Sequence, residues 1–266
     1  APDPTFGLAA NATQAAAIKA FQEAKFGGVS VVSQLGAPPY DFVPDGANLQ
    51  AALDSGGIVV LPSGYITTNP TFNINVASTQ LVGTGSGSDP ATNTILRELT
   101  GQPVLSINAS GTAATPILLK NLRIESTHQV GLLYGNKNVG DTAAAGPFSH
   151  ITFDNLHVVG SGTGTGETEF CMAIAANVSV NDLTVVNSAF DNCELGWGIY
   201  QQVALTCGLS TFNNVAVADT SFSGNNNKGI YAEKLSNATF TNVTVVDNGL
   251  KATGVGAGAN NAGVDI

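Results

Sequence analysis

Apolar and polar residues alternate in short runs along most of this chain, and one six-residue pattern returns five times. It reads apolar, any, Asn or Asp, apolar, any, apolar. The copies are Leu119–Ile124, Phe153–Val158, Val180–Val185, Phe212–Val217 and Phe240–Val245. Their central residues, Asn121, Asn155, Asp182, Asn214 and Asn242, lie 27 to 34 residues apart, the range of a solenoid repeat. Residues two apart on a strand share a face. Phe240 and Asn242 therefore have one parity, and Val243 and Val245 the other. Both apolar pairs reach one core only if the chain bends at Asn242. Asn suits a bend because it tolerates left-handed backbone and hydrogen-bonds nearby backbone groups. Stacked copies are expected to form an Asn ladder at each corner.

A second strand pattern follows each copy. It reads Gly198-Ile199-Tyr200-Gln201-Gln202, Gly229-Ile230-Tyr231-Ala232-Glu233 and Gly263-Val264-Asp265-Ile266, with weaker equivalents at Gly131–Tyr134 and Met172–Ala175. With Ile199, Ile230 and Val264 inward, Tyr200, Tyr231 and Asp265 face outward as one column, and Gln202 and Glu233 as the next. The spacing from the first pattern to the second varies. Insertions in a solenoid gather on one side and commonly build its binding face.

The N-terminal part reads differently. Ala15, Ile18, Phe21 and Ala24 fall at helical spacing over 12–26, with Asn11 as cap, Gln14 at the capping-box position and Gly27-Gly28 as terminator. An amphipathic helix there is expected to cover the open end of a strand stack, because exposed edges need covering. A second short helix is predicted over Ala47–Asp54, capped by Asp45 and closed by Gly56-Gly57. Strands follow at Ile58–Leu61, Phe72–Val76, Gln80–Val82, Thr94–Leu96 and Val104–Ile107.

The run Asn48–Tyr65 combines a short helix, Gly56-Gly57, an apolar strand and Pro62-Ser63-Gly64-Tyr65. With the following Leu81-Val82-Gly83-Thr84-Gly85, it resembles the opening segment of the pectate-lyase-like superfamily, which includes phage tailspike depolymerases. The resemblance covers roughly residues 45–266 in architecture. It implies an all-β fold, a right-handed parallel β-helix solenoid with an N-terminal capping helix. Residues 1–57 would form the cap and 58–266 the β-helix, as one structural domain. It also implies a polysaccharide partner, which the protein would bind and, as a lyase or hydrolase, cleave.

Depolymerising members place acids on the outward side of one sheet. Carboxylates in the variable loops or outward columns are Glu167, Glu169, Asp191, Glu194, Glu233 and Asp265. Two carboxylates flanking a glycosidic bond suit hydrolysis, so Asp191, Glu194 and Glu233 are the catalytic candidates. Trp197, Tyr200, Gln202, Tyr231 and Asp265 are the substrate-binding candidates, as an aromatic platform beside those acids. Ordinary solvated surface is the competing reading at each of these positions. The Asn-Thr-Asp, Asp-Asp and Gly-His-Gly set of polygalacturonases does not occur in the sequence. Neither does the Arg-x-Pro-x-x-Arg of pectate lyases nor the Asp-Pro-His-Glu of alginate epimerases. The alternative is a non-catalytic structural or adhesive subunit of a fibre, surface layer or virion assembly.

Composition narrows the partners. The chain has 266 residues, 43% hydrophobic and 11% charged, a balance that folds rather than stays disordered. A net charge of −10 argues against nucleic acid and anionic membranes, which need a basic face. With Arg97 and Arg123 as the two arginines, candidates for clamping an anionic polymer are few. No apolar run reaches the length of a membrane helix. Gly160–Gly166 lacks the Lys-Ser/Thr of a phosphate loop and reads as a flexible loop. No ligand spacing specifies a metal, and no cofactor is expected. The histidines His128, His150 and His157 do not cluster with an acid in the sequence. His157 is expected in an outward slot beside Arg123 and Thr184. Cys171 and Cys193 can be neighbours in adjacent turns and form a disulfide; three small buried hydrophobes, with Cys207, is the equal alternative. The expected location is extracellular or cell-surface. Residue 266 falls inside the second strand pattern, and no amphipathic capping segment follows it; either the sequence is truncated there or, if this is the native C-terminus, self-association or a partner is expected at the C-terminal edge.

Overall fold

The computed structural model describes residues 29–31, 41–42, 46–68, 71–98, 101–126, 130–134, 145–162, 169–174, 178–199, 211–232, 234–249 and 262–266. The helix expected over 12–26 lies outside them. The described strands form a fourteen-stranded and a seven-stranded sheet. Every strand pairing in them is parallel, as in Thr152 opposite Thr184 and Leu183 opposite Val215. A chain that keeps pairing in parallel with its own previous turn is a parallel β-helix, the architecture that the repeat implied. Its interior is a continuous apolar column running from Leu49 and Val59 to Val217 and Phe222.

The helix Gly46–Ser55 opens this column. Leu49 and Leu53 share one face by their i, i+4 spacing and are fully buried. Gln50 fixes the helix to the first strand of the seven-stranded sheet. Its amide donates to the Asn73 carbonyl at 3.0 Å and accepts from the Asn73 N–H at 2.8 Å.

The Asn-marked bends are present, and they form two ladders, one at each of two corners. By strand register, Asn121, Asn155, Asn187, Asp219 and Asn242 stack in one column. His150, Asp182, Asn214 and Asn237 stack in another. All of these residues have φ between 50° and 56°, the left-handed region that Asn and Asp tolerate best among residues with a Cβ. Rungs are tied by side chains. Asn155 Nδ2 donates to Asn121 Oδ1 at 2.8 Å across 34 residues, and Asn242 Nδ2 donates to Asp219 Oδ1 at 2.6 Å across 23. Asn214 Nδ2 likewise donates to Asp182 Oδ1, 32 residues away. The five sequence copies therefore mix two corners: Asn121, Asn155 and Asn242 mark one, Asp182 and Asn214 the other. Each corner has inward apolar residues on both sides, so both produce the same sequence signature.

The second strand pattern is also shifted at one turn. Trp197 pairs with Ile230, and Gly198 with Tyr231. Gly196, not Gly198, is the equivalent of Gly229. Trp197 thus takes the inward place expected of Ile199 and is fully buried. Gly196 sits where the chain turns into this sheet. A Cβ there would lie 2.3 Å from the Gly229 carbonyl oxygen, so only glycine fits without a backbone shift. One turn below, the same register brings Cys171 to this place. Its side chain leads into a disulfide with Cys193, which stands just beyond the left-handed Asn192.

Separate from the main column, Val130 and the seven-stranded-sheet residues Phe170, Ala173 and Leu195 make a small second apolar cluster against which Tyr231 packs. On the last described strands, Phe240, Val246 and Val264 are exposed, as is Ile266 just after them.

Candidate functional site

Past the Asn121–Asn242 corner, outward side chains on the fourteen-stranded sheet form two parallel columns. One is Arg123, His157, Ala189, Ser221 and Thr244; the other is Glu125, Val159, Asp191, Ser223 and Val246. The first column drops from long side chains at Arg123 and His157 to short ones at Ala189 and Ser221. That drop leaves a groove of about 330 Å³. Ala189 and Ser221 form its floor and His157 one end. Asn187, Asp219 and Asn242 of the corner ladder line it along one side, and Ser86 joins them from a loop. Ser86 is held there by its hydroxyl, which donates to Asn155 Oδ1 at 2.7 Å. Beneath the floor, Ser188 and Thr220 replace the leucines found at Leu122 and Leu156. Their hydroxyls donate to the carbonyls of Val186 and Ala218.

A polar relay crosses the sheet and ends at this groove. The Arg97 guanidinium lies 3.7 Å from the Tyr65 ring centroid, a cation–π geometry. It donates to Glu125 Oε2 at 2.7 and 2.9 Å, while Arg123 Nε donates to Glu125 Oε1 at 2.7 Å. Arg123 Nη1 lies 3.0 Å from His157 Nδ1, and His157 Nε2 lies 2.8 Å from Asp191 Oδ2. A guanidinium can only donate. His157 Nδ1 is therefore the acceptor, and Nε2 carries the proton given to Asp191. The other oxygen of Asp191 accepts from the Ser223 N–H and hydroxyl at 3.2 and 2.8 Å.

Burial alone would raise the Glu125 carboxyl, but hydrogen bonds from Arg123 and Arg97, with their charges, outweigh it and hold the group below the usual carboxylate range. Asp154 is likewise pushed up by burial, yet net lowered by hydrogen bonds from Lys120 and Asn187 and by the Lys120 charge. A carboxyl lowered on folding adds stability above its unfolded pKa and loses it as pH falls through the folded one. Wild-type protein should thus lose more stability than Glu125→Gln between pH 6 and pH 3 in urea titrations. Parallel pH profiles would show that Glu125 does not contribute.

The sequence candidates separate. Asp191 is in the relay. Glu194 is buried past the next corner, with its N–H donated to the Glu169 carbonyl, so it does not reach the groove. Glu169 is also buried and accepts from the Ser161 N–H. The expected aromatic platform loses Trp197, which lies in the core. Tyr231 and Asp265 do pair in register, but on the seven-stranded sheet. There Lys228 lies 4.0 Å from the Tyr231 ring centroid and 2.6 Å from Asp265 Oδ2. Glu167, Tyr200, Gln202 and Glu233 lie outside the described residues. His157 is indeed beside Arg123, but it pairs with Ala189 and not Thr184, which faces Thr152. The residues that sequence reading missed are Asn187, Asp219 and Ser221, together with the His157–Asp191 pair. One signal was available: Arg123, His157 and Asp191 follow one another at 34-residue steps, about one repeat.

No family model matches the sequence, and no curated protein matches it. Among solved structures, the crystal structure of full-length tailspike protein 2 from an Escherichia coli bacteriophage is similar in fold. The TM-score is 0.38 at 14% identity, covering 82% of this chain and 38% of that one. The chain thus spans well under half the length of that tailspike protein.

Proposed function

We propose that the chain is an exported, surface-acting β-helix protein that holds a neutral polysaccharide in the groove over Ala189 and Ser221. The observation that carries this reading is the groove's lining. Hydroxyls of Ser86, Ser221 and Thr244 and amides of Asn187 and Asn242 supply both donors and acceptors, as a ligand made of hydroxyl groups requires. Neutral glycans fit better than anionic ones. Asp219 lines the groove, the chain carries a net −10, and Arg123 is turned toward Glu125 and His157.

Recognition is favoured over cleavage at this place. Glycoside hydrolysis asks for two carboxyl groups flanking the bond. Among the described residues lining the groove, the carboxylate is Asp219, and both oxygens of Asp191 are engaged by His157 and Ser223. Glu233, outside the described residues, stays a candidate for chemistry. The Cys171–Cys193 disulfide supports an oxidising destination.

Ala189→Trp should fill the floor without touching the core, because Ala189 points outward. Calorimetric titration with neutral glycans should show at least a tenfold loss of affinity at an unchanged Tm. Undiminished binding would remove the groove from the proposal. Release of reducing ends or unsaturated products from the same glycans would replace recognition with catalysis. Self-association or a partner at the last described strands is proposed on the exposure of Phe240, Val246, Val264 and Ile266. A single monomeric species at all concentrations in sedimentation velocity would count against self-association there.

A further inference from the structure

We propose that His157 is a proton-sensitive latch on the groove wall, so that ligand affinity there falls in acid. The inference rests on the groove being the binding site, and its structural part stands apart from that reading.

The geometry of the relay fixes what a proton can do. His157 is the one uncharged link between a cation, Arg123, and an anion, Asp191. It fills that role only as the neutral ring, accepting at Nδ1 and donating at Nε2. Its side chain is 27% exposed, so solvent reaches it. A second proton can go only to Nδ1, which then turns an N–H toward the guanidinium 3.0 Å away. Two donors and two positive charges face each other, and the Arg123–His157 contact cannot survive. The groups around the ring make the response one-sided. Asp191, from the strand Ala189–Asp191, keeps its hydrogen bond in both states. Arg123, from the strand Ile117–Glu125, stays anchored through Nε by Glu125, which Arg97 holds from the strand Thr94–Glu98. Asp219 supplies the further charge lining the groove. The ring or the free end of Arg123 must therefore move. His157 forms one end of the groove, so motion of its ring alters the cavity that the ligand occupies.

Glutamine isolates the effect. In His157→Gln, the amide oxygen can accept from Arg123 and the amide nitrogen can donate to Asp191, with nothing to titrate. Neutral-glycan affinity of the wild type should fall about tenfold between pH 8 and pH 5, while that of His157→Gln stays flat. Equal pH profiles in the two proteins would overturn regulation through this residue. Nitrogen-15 NMR of the His157 ring and the Arg123 side chain, without ligand, tests the latch alone. The expected neutral-pH state has the proton on Nε2. Ring protonation and loss of the Arg123 contact should then titrate together. A ring protonated on Nδ1 at neutral pH, or an Arg123 signal indifferent to ring protonation, would overturn the latch. If the NMR result is as expected but no glycan binds at any pH, the groove reading fails and the latch remains.

Discussion

Trp197→Ala should destabilise the protein by about 3–5 kcal/mol, the usual cost of emptying a large aromatic site in a packed core. Trp197 is fully buried. Its ring meets Phe190 and Phe222 edge-on at centroid distances of 5.5 and 5.2 Å, and those two stack on each other at 5.2 Å. Truncation would open a cavity between adjacent turns, where rigid strands on both sides restrict collapse. Trp197→Phe should cost much less. It keeps ring packing and removes an indole N–H that finds no acceptor among the described residues, a group that costs free energy when buried unpaired. Urea denaturation followed by far-ultraviolet circular dichroism measures both. A loss under about 1 kcal/mol for Trp197→Ala would be too small for a packed core aromatic and would show that the ring is not in the core.

Removing the disulfide should have an effect of similar size. Cys171 and Cys193 close a segment with a sequence separation of 22, for which unfolded-chain entropy gives about 3 kcal/mol. Both cysteines are buried, so mild reductant should act on the folded protein only slowly. The Cys171→Ser, Cys193→Ser double variant should show a lower urea midpoint. Reduced wild-type protein, unfolded and refolded under reductant, should match it. Identical midpoints for oxidised wild type and the double variant would show that the cross-link adds no stability. Ser at position 171 is tolerable because a Cβ already sits there, unlike at Gly196.

Groove and core differ in how they respond to sequence change. Trp197 and the disulfide act on stability because they lie between turns. Ala189 acts on the groove because a short outward side chain is what leaves the cavity open.

Much of the scaffold was legible in the sequence because strand parity and Asn chemistry are local. Alternating apolar residues around Asn121, Asn155, Asp182, Asn214 and Asn242 already required bends, and those bends are left-handed in the structure. The helix over Ala47–Asp54 was legible from its terminators and is present as Gly46–Ser55. The existence of strands, corners and a solenoid repeat was therefore determined by the sequence alone.

Register was decided only by the tertiary structure. Two corners in each turn share one signature, so a residue such as Asn214 cannot be assigned to its ladder until the strands pair. Gly196 and Gly198 both precede an apolar residue, and only pairing with Gly229 and Tyr231 shows that Trp197 faces inward. A slip of this kind moves a residue from surface to core, which is why Trp197 left the expected sugar platform. The same pairing brings His157 to Asp191 across 34 residues. Hydrogen bonds between turns fix which side chains become neighbours, and no local pattern carries that information.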